Sequence, residues 1–164
     1  GLCSGIPLDA QSAAETAMSL WATYLAGCDL VVHAAGWLEG GLVASYEKLA
    51  FDLELIRMFE RLRGGIAVDD EALAFDALAE LGPGGLFLAH EHTLERFRTE
   101  VFMSPLFRSS AHPTWVKQGS PELPQVAAAA WHRLLDSYVD PGLDEGVDAE
   151  LRDFVERRTR ECEA

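Results

Sequence analysis

Four residues of this chain have side chains whose type and setting suit recognition of a small charged molecule: His33, Trp37, Glu39 and His92. His33 closes the apolar, β-branched run Leu30-Val31-Val32-His33, and an imidazole there can hydrogen-bond a substrate carboxylate or tune a neighbouring group. Trp37 follows in the glycine-bearing loop Ala35–Gly41, where an indole face can pack on a cation. Glu39, two residues on, can offset a positive charge. His92 lies near His90 with Glu91 between them. Two histidines at i and i+2 project to one side of a strand and diverge on a helix. A metal would need a third ligand, for which His33 or His112 could serve, but the spacing matches no zinc signature, so no metal is expected. Every one of these residues also has a plainer explanation: a core histidine satisfied by backbone, a tryptophan packed on its loop, a solvated acid.

Other chemistries are disfavoured. Gly82-Pro83-Gly84-Gly85 lacks the Lys-Ser/Thr of a phosphate-cradling loop, and Gly36, Gly40 and Gly41 read as tight backbone geometry. The formal charge is −14, from 27 acidic and 13 basic residues. Nucleic-acid binding needs a clustered basic footprint, so nucleic acid is not an expected partner. The one basic concentration, Arg152, Arg157, Arg158 and Arg160, is interleaved with Asp153, Glu156, Glu161 and Glu163, the pattern of a solvated helix face. No apolar run approaches the roughly 18 residues that span a bilayer, and no membrane association is expected. Three cysteines without CxxC spacing argue against a disulfide framework and for a reducing, cytoplasmic setting. The N-terminus shows no secretory pattern, and its lack of an initiator Met suggests a processed or excised segment.

The elements that must position these residues alternate. Pro7 and Asp9 open a helix through Leu25 to Gly27, with Ser12-Ala13-Ala14-Glu15 fitting a capping box. Leu30–His33 is a strand candidate of the buried parallel kind. Ser45 caps a second helix, Tyr46–Leu62, ended by Gly64-Gly65, with Leu49, Leu53, Ile56 and Phe59 on its buried face. Asp69 caps a third helix carrying Leu73, Phe75, Leu78 and Leu81, and Leu86-Phe87-Leu88 is a second strand candidate. A helix over Leu94–Phe102, a loop-rich stretch at 103–121, and two helices near 123–138 and 147–160 complete the chain. Strand, glycine loop, helix is the grammar of β/α units. The expected class is therefore α/β and helix-rich: one domain comprising part of a TIM (β/α)8 barrel with two to three strands at about 1–110, and an appended helical extension at about 111–164.

The stretch Asp29–Leu55, DLVVHAAGWLEGGLVASYEKLAFDLEL, resembles the C-terminal part of the corrinoid-dependent trimethylamine/glycine betaine methyltransferases. Further segments are similar and fall in the same order. They are Pro7-Leu8-Asp9-Ala10-Gln11, Gly82-Pro83-Gly84-Gly85 with Phe87-Leu88, His92-Thr93-Leu94, and the Trp115 region before the alanine-rich helix. The resemblance covers nearly the whole chain. It implies a TIM-barrel enzyme that passes a methyl group from a methylated amine to the cobalt of a corrinoid held by a partner protein, with most of the barrel N-terminal to Gly1. Some family members carry pyrrolysine. None occurs in these positions, and members without it are associated with quaternary amines, which favours that substrate class.

Chemistry favours it too. A reduced corrinoid attacks a methyl carbon in line with its leaving amine, and a quaternary nitrogen leaves neutral without a proton. The protein then mainly has to desolvate, orient and balance the cation. His33 at a barrel-strand end is the catalytic candidate; Trp37, Glu39 and His92 are the substrate-binding ones. The alternative is a non-catalytic truncated paralogue or a docking domain. In either case an incomplete barrel exposes edges and apolar faces, so a homo-oligomer is expected.

Overall fold

A computed structural model describes residues 1–163. Helix accounts for 61% of the chain. Eight helices are described: α1 (Ala10–Leu25), α2 (Tyr46–Arg63), α3 (Asp70–Leu73), α4 (Phe75–Leu81), α5 (Glu91–Glu100), α6 (His112–Lys117), α7 (Leu123–Asp136) and α8 (Glu145–Glu163). Between α1 and α2 lies a two-stranded antiparallel hairpin, β1 (Trp37–Leu38) and β2 (Val43–Ala44), in which Trp37 faces Ala44 and Leu38 faces Val43. Gly1–Arg133 form one compact unit, and the chain from Leu134 onward forms a second.

Local chemistry sets the helix ends. The capping box of α1 is one turn earlier than expected. Asp9 accepts from the backbone N–H of Gln11 and Ser12, and Ser12 Oγ accepts from Asp9 N–H at 3.0 Å. Ser12 is thus inside the helix, and Glu15 accepts instead from the backbone of Ser4 (2.5 Å) and Gly5 (3.3 Å). Ser45 caps α2 as expected, accepting from Lys48 N–H at 3.2 Å. Asp69 caps α3, but the single helix expected there is broken at Ala74, which is left-handed at φ 53°.

Both strand candidates are corrected. Val32 and His33 lie in a turn, with Leu30 and Val32 largely exposed, and Phe87–Ala89 form a 3₁₀ turn. A parallel strand has its backbone groups satisfied only by neighbouring strands. Among the described residues β1 and β2 are the only strands, and each satisfies the other. What is shown is a helix-rich unit with a small sheet, an arrangement compatible with part of a barrel.

The core of the first unit centres on Phe51, Leu106 and Ala127, which brings α2, the 103–110 loop and α7 together; Leu8, Leu55 and Phe107 pack against it. Trp21 and Tyr24 of α1 pack against Phe59 of α2, with ring centroids 5.7 and 5.2 Å apart. The buried face of α2 is offset from the expected one. Phe59 is buried as expected, but Leu49 and Leu53 are exposed, while Lys48, Phe51, Asp52 and Glu54 are buried. That offset matters for the site.

Candidate functional site

The loop between α1 and α2 holds three of the four candidate residues. His33 is exposed at the turn, with φ 58°, a left-handed conformation that histidine tolerates better than most residues. Its ring lies 5.0 Å from the Trp37 ring, tilted by 35°. The two form one aromatic surface. Glu39 begins a 3₁₀ turn directly after β1, also at positive φ (50°). The N-terminal segment braces this loop from beneath. Gly5 C=O accepts from Glu39 N–H at 3.1 Å, Cys3 C=O accepts from Gly40 N–H at 2.8 Å, and the buried Cys3 thiol donates to Trp37 C=O at 3.2 Å.

Behind the loop is a buried charged pair. Lys48 and Asp52 stand at i and i+4 on α2, both side chains fully excluded from solvent, with Nζ 2.5 Å from Oδ1. Lys48 Nζ also donates to Thr16 Oγ1 of α1 at 2.7 Å, and the other carboxylate oxygen of Asp52 accepts from Gly36 N–H at 2.9 Å. Burial pushes the Asp52 carboxyl above its ordinary pKa, opposed by the hydrogen bonds from Lys48 and from Gly36 N–H. Gly36 is held on both sides, because its C=O accepts from Ser45 N–H at 3.0 Å. Its φ of 87° lies in the region that favours glycine, and an added Cβ would meet Leu49 Cβ at a tight 3.3 Å.

His92 is placed elsewhere. It lies in the first turn of α5, where Arg96 Nε donates to its Nε2 at 3.0 Å and Glu71 C=O lies 2.8 Å from the same nitrogen. The guanidinium always donates, so Nε2 bears the lone pair whenever that bond is made. His92 also lines a cleft of about 400 Å³ with Ile66, Ala72, Arg96 and Phe97. His33, Trp37 and Glu39 are not among the residues of that cleft. His90 caps α5, its Nδ1 accepting from His92 N–H at 3.2 Å, and its Nε2 stands 3.5 Å from Glu80. Among the described residues no group of three or more His, Cys, Asp or Glu is placed to hold a metal ion.

Two features of the site escape a reading by residue type. Asp52 presents itself in sequence as one more acid in the first turns of α2, beside Ser45 and Glu47, where capping and the helix dipole explain it. Lys48 has no signal at all: opposite charges at i,i+4 ordinarily mark a solvated face. Both are revealed only by their partners in the fold, Thr16 of α1 for Lys48 and Gly36 N–H for Asp52.

Comparison with known proteins places the chain in a family whose named relatives are methyltransferases. The family model described as trimethylamine methyltransferase (MTTB) matches residues 1–163, and the chain belongs to that family. It is 37% identical over 161 residues to a glycine betaine methyltransferase of Desulfitobacterium hafniense strain Y51, covering 98% of this chain and 33% of that protein. It is 35% identical over 153 residues to the trimethylamine methyltransferase MttB of D. hafniense strain DCB-2, covering 93% of this chain and 30% of that protein. A proline betaine:corrinoid methyltransferase of Eubacterium limosum is 36% identical over 105 residues, 63% of this chain and 21% of that protein. The chain thus spans about a third of the length of the first two relatives.

Proposed function

We propose that this chain forms one wall of the amine site of a longer methyltransferase, which moves a methyl group from a betaine-type quaternary amine, or a tertiary methylamine, to a corrinoid carried by a partner protein. The observation that carries the proposal is the braced α1–α2 loop, in which His33 and Trp37 share one aromatic surface with Glu39 beyond it, inside a chain of this family. The Trp37 indole face receives the methylammonium group. Glu39 supplies the balancing negative charge, and His33 is the catalytic residue, hydrogen-bonding the substrate carboxylate and orienting the methyl for in-line transfer. His92, which lines a separate cleft beside α5, is not assigned to this wall. The quaternary class is favoured because a neutral amine leaves without a proton donor, and two of the relatives named above act on betaines by name. The corrinoid is the methyl acceptor and is not held by this chain.

The test is corrinoid methylation by the full-length gene product, followed by cobalt absorbance with glycine betaine, a carnitine-type betaine and trimethylamine in turn. Methylation with one quaternary amine, lost in His33→Ala, is the expected result. Absence of methylation with every donor, from a folded protein, overturns the proposal in favour of a non-catalytic paralogue.

A further inference from the structure

We infer that Asp52, held by Lys48, is a positioning residue that fixes the backbone of the amine-binding loop at Gly36. The inference rests on the functional reading above for its substrate. Its geometry stands independently.

A fully buried ion pair is costly to desolvate and is weak evidence of stability on its own. Well-packed apolar side chains commonly do as well or better at such a position. What apolar side chains cannot do is accept a hydrogen bond from the loop. Asp52 divides its two oxygens between two tasks: one takes the Lys48 ammonium at 2.5 Å, and the other takes Gly36 N–H at 2.9 Å. Lys48 in turn is tied to α1 through Thr16 at 2.7 Å. Ser45 N–H holds the opposite side of the Gly36 peptide at 3.0 Å. The glycine is therefore clamped between the N-terminus of α2 and a carboxylate two turns further along the same helix. Trp37 is the next residue, and its carbonyl is held by Cys3 at 3.2 Å. His33 stands three residues before the clamp and Glu39 three residues after it. A change in the Gly36 peptide plane therefore redirects the segments that carry all three side chains.

Two double variants of the full-length protein separate positioning from stability, because both abolish the buried charges. Lys48→Met/Asp52→Asn keeps a carbonyl oxygen that can accept from Gly36 N–H. Lys48→Met/Asp52→Leu does not. Thermal melting first establishes that both fold cooperatively; should the leucine variant fail to, Lys48→Met/Asp52→Ala takes its place. The first readout is hydrogen–deuterium exchange over residues 30–44, which needs no catalysis. The Gly36 amide is expected to exchange roughly tenfold faster in the leucine variant than in the asparagine variant. The second readout is the KM for the amine, expected to rise by roughly tenfold in the leucine variant with a smaller change in kcat, and to stay near its original value in the asparagine variant.

Equal exchange in the two variants overturns the clamp. Faster exchange with equal KM and kcat overturns its role in amine binding, leaving a purely structural pair. A failure of the unaltered protein to transfer methyl overturns the functional reading instead, while the exchange comparison still decides whether Asp52 holds the loop.

Discussion

At the residue scale, the acids around α2 respond to pH in opposite directions. Glu47 accepts from the Trp131 indole at 3.0 Å, 84 residues away in sequence, and from Ser45 Oγ at 2.9 Å. The Trp131 hydrogen bond is the main cause of its lowered pKa. A carboxyl lowered in the fold contributes stability above its unfolded value, about 4.3, and loses it as the pH falls through the folded value. Glu15 behaves in the same sense, lowered chiefly by Gln11 and then by Ser4 N–H. Asp52 runs the other way. Burial raises its pKa, so its contribution is present below the ordinary value and declines as the pH rises through the raised one. Indole fluorescence is therefore expected to show an acid step with a midpoint below about 4.3 that disappears in Glu47→Gln. A step that persists in that variant would show that Trp131 does not report on Glu47.

At the element scale, the break between α3 and α4 stores strain. Ala74 occupies the left-handed region at φ 53°, where an alanine Cβ meets the following carbonyl. Asp69 starts the first turn, accepting from Ala72 N–H at 2.7 Å, and α4 restarts at Phe75. Ala74→Gly is expected to stabilise the protein by roughly 0.5–1 kcal/mol, since relief of strain exceeds the added freedom of the unfolded chain. A shift of the denaturant midpoint to higher concentration at constant slope is the expected reading. A shift to lower concentration would mean that α3 and α4 run as one helix in solution, the form their periodicity predicts.

At the scale of the molecule, the second unit carries an open apolar stripe. Val147, Leu151, Phe154 and Val155 recur at helical spacing on α8, each about half exposed. The ion pairs Arg152–Asp148, Arg157–Asp153 and Arg160–Glu156 join side chains one turn apart on the same helix. They are surface pairs that contribute little to stability. A helix with such a stripe calls for a cover. The isolated 164-residue chain is expected to self-associate, and Leu151→Glu/Phe154→Glu to disperse it. A monodisperse monomer of the unaltered chain in light scattering would contradict this.

Much of this was legible from the chain alone, and the reasons are local. Ser45 and Gly64-Gly65 bracket α2 because capping and chain reversal depend on a few adjacent residues, and the ordered motifs of Asp29–Leu55 carry the family. The grouping of His33, Trp37 and Glu39 on one loop follows from their closeness in sequence. The strand state of Leu30–His33 and Leu86–Leu88 was not legible, since a β-branched run becomes a strand only beside another strand. Nor was the placing of His92 on a cleft between other elements, or the true buried face of α2. Helical spacing marks Leu49 and Leu53 as readily as Phe51, and only the packing of other elements against α2 chooses between them. That same packing buries Lys48 and Asp52 and turns an ordinary i,i+4 pair into a clamp on Gly36, because the acceptor and its N–H lie 16 residues apart and meet only once the helices are in place.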